Sequence, residues 1–187
     1  EHIQSMREQV APYGKKLAMT EGHFALPGRN RCEVLSTWAA GVAYARMLNV
    51  QERNGDILEI ATLADFFGNR WQVNAIIIPT PIRKLKPYLQ PVGWVMMLYR
   101  RHVGKEAISV DYPSDLDVVA SRTGNRIYLH VVNTQMERGI KVNLEVDGMK
   151  IIRGKAYEIA EDPEFEITEL TPDAFKPFEK ELTGSEW

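Results

Sequence analysis

The side chains with the most chemical potential in this sequence are few, and they lie beside two short apolar runs. Glu21 follows the run Lys15 to Thr20 (KKLAMT), with His23 and Phe24 just beyond it, and Asp65 follows Ile60-Ala61-Thr62-Leu63-Ala64. A carboxylate after a strand-length run is either a solvated surface group or one that attacks, or exchanges protons with, a ligand. The imidazole of His23 either steadies a loop through hydrogen bonds or touches the ligand. Phe24 fits packing or a stacking platform, and Asp65 fits a helix cap or an acceptor for a ligand hydroxyl. Metal chemistry finds no support, because Cys32 is the only cysteine and neither CxxC nor HExxH spacing occurs. Trp38 and Trp71 read as packing residues. Arg53, Asp56 and Glu59 read as a surface ion-pair cluster, and Arg100, Arg101 and His102 as a solvated helix end.

The composition bounds what these groups can serve. The chain has 187 residues, 44% hydrophobic and 26% charged, with 23 Lys+Arg against 25 Asp+Glu. This is the composition of a globular domain rather than a disordered or disulfide-stapled chain. A net charge of −2 without a basic run argues against nucleic acid as a partner. No apolar stretch approaches the roughly 18–20 residues of a membrane-spanning helix. The first residues, Glu1-His2-Ile3-Gln4, include no initiator Met and lack the layout of a signal peptide, so the chain reads as starting inside a longer protein.

The hydrophobic period changes near residue 105. Before it, short apolar runs alternate with helical patterns; after it, period-two alternation dominates. Ile3 to Tyr13 predicts the end of a helix, stopped by Gly14. Asn30 and Glu33 form a capping-box pattern opening a helix to about Asn49 that is apolar around most of its circumference. Asp56 to Leu63 and Val73 to Ile78 predict strands. Pro91 opens a further helix through Val103, ending at Gly104. Strands are then expected at Leu116–Ser121, Ile127–Asn133, Ile140–Val146, Lys150–Ile159 and Phe165–Leu170, with turns at Thr123-Gly124-Asn125 and Asp147-Gly148. Thr183 to Trp187 reads as leading into a further strand. The expected division is an α/β part, residues 1–106, and a β-sandwich or jelly-roll part, residues 107–187.

The order strand, Glu, loop, long helix, strand, helix, β-sandwich resembles the C-terminal part of an α-L-arabinofuranosidase of glycoside hydrolase family 51. The matching residues are Tyr44-Ala45-Arg46-Met47-Leu48-Asn49, Glu52-Arg53-Asn54-Gly55-Asp56, Ile60-Ala61-Thr62-Leu63-Ala64, Trp94 to His102 (WVMMLYRRH) and Leu129-His130-Val131-Val132-Asn133-Thr134. The resemblance implies the last two βα units of a (β/α)8 TIM barrel followed by a C-terminal sandwich. A complete barrel takes about 250 residues, so the chain would be incomplete. The resemblance also implies that Glu21 is the nucleophile of a retaining glycosidase, at the end of the seventh barrel strand, with the acid/base on an absent strand. His23, Phe24 and Asp65 would touch the sugar.

Three positions depart from the family pattern. Glu21 is followed by Gly22-His23-Phe24 where the family has Trp-Asn, Asp65 stands where a Gln is common, and Gly68 stands where an Asn is. The sugar is therefore open beyond a default of arabinofuranose. The implied chemistry needs no metal or organic cofactor. The expected partners are an arabinose-containing oligo- or polysaccharide, the remainder of the barrel and, through the exposed flanks of an incomplete barrel, a second copy. Both a cytoplasmic and a secreted bacterial setting fit. The rival readings are a non-catalytic glycan-binding or assembly module and a related enzyme acting on another sugar, such as a xylosidase.

Overall fold

Helix α1 (His2–Val10) runs into a single 3-10 turn, Ala11–Tyr13, and stops at Gly14. Gly14 has φ 58, a left-handed conformation that costs glycine nothing because it has no Cβ. In the computed structural model, residues 2–25, 28, 34–69, 73–80 and 85–182 are described. Helix α1 buries none of its residues. Instead the Arg7 guanidinium donates to both carboxylate oxygens of Asp56, at 2.5 and 2.8 Å, and to Asn54 at 3.1 Å. Those bonds bring the Asp56 carboxyl down to about 2.

Strand β1 (Leu17–Met19) pairs in parallel with β2 (Leu58–Ala61), Met19 standing opposite Ala61. Parallel neighbours need a long crossover, and helix α2 (Trp38–Arg53) lies within it. The expected helix is present only from Trp38, because Thr37 is extended and bridges Glu166, so residues 35–37 do not continue a helix from the Asn30–Glu33 side. At its other end it runs four residues past Asn49, to Arg53. It is apolar on several sides because it packs on several sides: Trp38, Ala40, Gly41, Tyr44, Ala45 and Asn49 are all buried. Strand β3 (Phe67–Gly68) pairs in parallel with β4 (Ile76–Ile77), which pairs antiparallel with β5 (Tyr88–Leu89). Helix α3 (Pro91–Arg101) starts at Pro91, where a missing N–H leaves nothing unsatisfied. A Cβ on Gly93 would stand 2.4 Å from the Ala75 carbonyl oxygen, so only hydrogen fits between this helix turn and the strand region. Gly93→Ala is expected to lower stability by about 1–3 kcal/mol, the usual cost of overpacking, read in a thermal melt.

In the second part, β6 (Glu106–Ile108), β7 (Leu116–Thr123) and β8 (Arg126–Asn133) form an antiparallel sheet with β7 central. The first six residues of β7 are all buried. Gly124, at φ 58, turns the chain into β8. Strands β9 (Gly154–Glu158) and β10 (Phe178–Leu182) form a separate antiparallel pair. The hydrophobic core draws on both sides of the expected division: Trp38, Tyr44, Val92 and Val95 pack with Val132, Ile167 and Phe175. The Trp38 ring lies 5.1 Å from that of Phe175, as the packing reading of Trp38 expected.

Several expectations are corrected. Among the described residues no closed barrel forms, and of the expected two βα units the parallel pairing is confined to β1–β2 and β3–β4, in separate small sheets. Ile140–Val146 is not a strand; its residues alternate half-buried and exposed, as a strand would, but among the described residues no neighbour pairs with it. Lys150–Ile159 shortens to β9, and β10 was not expected at all. Phe165–Leu170 keeps one bridge, Glu166 to Thr37. The backbone around that bridge caps a helix instead of extending a sheet. The carbonyls of Pro163 and Phe165 accept from Ala39 and Trp38, amides that the start of α2 leaves without helical partners. Arg53, Asp56 and Glu59 are not a cluster, since Arg53 bonds Asp117 and Asp56 bonds Arg7. The Asn30–Glu33 capping box, Cys32, Trp71 and residues 183–187 lie outside the described residues.

Candidate active site

The parallel pairing of β1 and β2 brings their carboxyl ends to the same side. Thr62 fastens them there, its N–H donating to the Met19 carbonyl at 2.8 Å and its hydroxyl to the Thr20 carbonyl at 2.6 Å. Glu21 emerges from this edge with its side chain 67% exposed. Its Oε1 lies 2.6 Å from Nε2 of His23, so the carboxylate is solvated but held on one side.

His23 is fixed in turn from below. Nδ2 of Asn74, a fully buried residue, donates to His23 Nδ1 at 3.2 Å and to the Ala64 carbonyl at 2.7 Å. With Nδ1 accepting, the ring proton sits on Nε2 and is donated to Glu21. Turning the Asn74 amide over would set its oxygen against the Ala64 carbonyl, so the orientation is locked. The chain Ala64–Asn74–His23–Glu21 therefore runs from the interior to the exposed carboxylate. Asn74 was missed by sequence reasoning: it sits inside the run Val73 to Ile78, and nothing local marks it as other than a strand residue.

Asp65 joins this region through its backbone. Its carbonyl accepts from the Asn74 N–H at 2.8 Å, and it holds φ 46, the only positive φ of a non-glycine among the described residues. Its side chain is exposed. Phe24 is partly buried and packs against the core cluster, so its ring serves packing. Among the described residues no three His, Cys, Asp or Glu side chains converge as a metal site, and no helix is long and apolar enough to cross a membrane.

A second polar assembly joins the two parts of the chain. Buried Asn49 donates to the Asp117 carbonyl at 3.0 Å and to its carboxylate at 3.1 Å, while Arg53 donates to that carboxylate at 2.7 Å. The Tyr99 hydroxyl donates to Asn49 Oδ1 at 2.7 Å, and burial pushes its pKa up. Next to it, buried His130 lies against the Tyr99 ring at a tilt of 33° and sets its ring nitrogens against the Glu52 carboxylate and the His102 carbonyl, at 3.1 and 2.9 Å. Its groups face one another across α2, α3, β7 and β8, which suits a structural role.

The match that decides the family covers residues 20–186: it is to the alpha-L-arabinofuranosidase C-terminal domain. The chain belongs to that family. Its fold is similar to that of a thermostable GH51 α-L-arabinofuranosidase from Thermotoga petrophila RKU-1, with TM-score 0.77 at 20% identity, covering 98% of this chain and 42% of that one. It is also similar to a solved structure described as an arabinofuranosidase, TM-score 0.74 at 21% identity, covering 97% and 42%. A family 51 α-L-arabinofuranosidase from Bifidobacterium longum matches with TM-score 0.65 at 18% identity, covering 92% and 39%. No match is found among curated proteins. This α-L-arabinofuranosidase C-terminal domain thus spans about two fifths of the length of the solved enzymes it resembles.

Proposed function

We propose that this chain supplies the nucleophile to a retaining α-L-arabinofuranosidase and that Glu21 is that nucleophile. The observation carrying the reading is the Glu21 carboxylate at the carboxyl end of β1, solvated yet oriented by His23 and, through it, by buried Asn74. Barrel enzymes place their chemistry at strand carboxyl ends, and β1 and β2 fit the seventh and eighth strands of such a barrel. The remainder of the barrel would cover Ile60, Phe66 and Phe67, which are 53%, 42% and 67% exposed. The β-rich residues that follow would form the sandwich packed on it.

In this reading Oε1 of Glu21 is held by the His23 N–H and Oε2 attacks the anomeric carbon. The bond to the leaving oxygen breaks as an acid outside the 187 residues protonates it. Water then attacks the glycosyl ester, giving its proton to the same group and releasing the sugar and the free Glu21 carboxylate. Asp65, at the neighbouring strand end, would accept from a sugar hydroxyl.

The test is to quench the full-length enzyme during turnover of an activated arabinofuranoside and map the adduct. One pentosyl group esterified to the peptide containing Glu21 is expected, and the 187-residue chain alone should neither label nor turn over. Label on another carboxylate refutes the assignment, and saturable glycan binding with no turnover or label by the full-length protein favours a binding module.

A further inference from the structure

Residues 140–146 are built like a strand and used like none. Ile140, Val142, Leu144 and Val146 are half-buried while Lys141, Asn143 and Glu145 face solvent, the alternation of a sheet with one covered face. Yet among the described residues the only backbone hydrogen bond made by this stretch is at its end, where the Val146 carbonyl accepts from Met149 at 3.2 Å. The turn at Asp147-Gly148 forms, with Gly148 at φ 70, but its two arms do not pair. They splay around a cleft of about 750 Å³ lined by the apolar Leu144, Val146, Met149, Ile151 and Ile152 and by the charged Glu145 and Lys150. Ile152 is 86% exposed there and Met149 46%. A row of unpaired amides and carbonyls beside apolar side chains is a template for another strand.

The charges specify which strand fits. Two copies of this stretch laid antiparallel about Asn143 put Lys141 opposite Glu145 of the second copy, and Glu145 opposite its Lys141. The pairing is isologous, so the two favourable contacts arise together. On the other face Ile140 meets Val146 and Val142 meets Leu144, continuing the apolar row. Parallel pairing in the same register would set Lys against Lys and Glu against Glu. A two-residue slip that swaps Glu145 for Asp147 would draw the turn itself into the ladder. We propose that the edge 140–146 is a self-recognition surface, through which two copies of this chain join in one antiparallel ladder. The proposal is independent of the glycosidase reading.

Sedimentation of the 187-residue chain over a concentration series tests it, with circular dichroism reporting the fold of each variant. A reversible dimer is expected. Lys141→Glu and Glu145→Lys should each raise the dissociation constant at least about tenfold, because each sets like charges opposite one another. Mixing the two variants should give a heterodimer, and combining both substitutions in one chain should restore the homodimer. Asn143→Pro should abolish pairing by removing a ladder N–H. A wild-type chain that stays monomeric overturns the proposal and leaves the edge to a different strand. Dimers indifferent to the charge reversals overturn it equally, since another face then holds them together.

Discussion

Glu21→Gln, placed in the full-length enzyme, is expected to reduce kcat on an aryl arabinofuranoside by on the order of 10⁴-fold, about 5–6 kcal/mol of transition-state stabilisation. The amide is nearly isosteric and keeps an acceptor oxygen for the His23 N–H, so the local geometry should survive and KM should change little. What it loses is the negative charge and the ability to form a glycosyl ester. Replacing Glu21 by Gly and adding azide separates the two carboxylate roles. Azide entering the vacated nucleophile position would restore turnover and yield a glycosyl azide inverted relative to the substrate. A product of retained configuration would instead identify Glu21 as the acid/base. A Glu21→Gln enzyme within tenfold of the native rate would remove Glu21 from the mechanism.

The second large effect is on stability. Asp117→Ala is expected to cost about 2–3 kcal/mol, lowering Tm by about 4–12 °C for a domain of this size. The Asp117 carboxylate is 12% exposed and accepts from both Arg53 and Asn49, so truncation removes the charged acceptor from a half-buried guanidinium and leaves Asn49 and Arg53 the carbonyls of Asp117 and Val118. The cost stays below the upper range for a broken buried pair because the Arg53 side chain is 34% exposed and recovers some hydration. The same pair sets an acid limit. Burial alone would raise the Asp117 carboxyl, but the hydrogen bonds from Arg53 and Asn49 and the charges of Arg53 and Arg46 outweigh it and lower it below 3.8. A carboxyl whose folded pKa is depressed stabilises the fold above its unfolded pKa and loses that contribution as pH falls through the folded value. Wild-type stability should therefore fall as the pH drops below about 4, and Asp117→Ala should flatten that part of the profile. Equal acid slopes in both proteins would assign the effect to other carboxylates.

Local signals gave most of the elements, and distant pairings explain what they missed. Pro91 and Gly14 mark a helix start and stop through their own backbone chemistry, so both were legible without knowing any neighbour. The runs Lys15–Thr20 and Asp56–Leu63 were legible as short apolar stretches, while their parallel pairing was implied only by the family resemblance. Ile140–Val146 shows where such reading stops. Alternation reports an extended chain with one covered face, and the stretch has that form, but a strand also needs an edge to pair with, which its own residues do not encode. Within the site, Glu21 and His23 stood out because they are polar groups at the end of an apolar run. Asn74 did not, since its partner is 51 residues away and an amide within a strand-like run carries no local mark. Arg53 and Asp117 are 64 residues apart, which is why Arg53 was assigned to nearer carboxylates.

At Asp65 the main chain is held in a left-handed conformation. A left-handed aspartate is an uphill conformation, costing of order 1 kcal/mol, and it persists only where its surroundings enforce it. Here they do so immediately: the carbonyls of Asp65 and Phe66 both accept main-chain amides from Asn74 to Ile76. The direction of the Cα–Cβ bond at Asp65 is thus set by the peptide bonds around it. In the role proposed for Asp65, as acceptor for a sugar hydroxyl, a backbone already held in one conformation would surrender less freedom on binding.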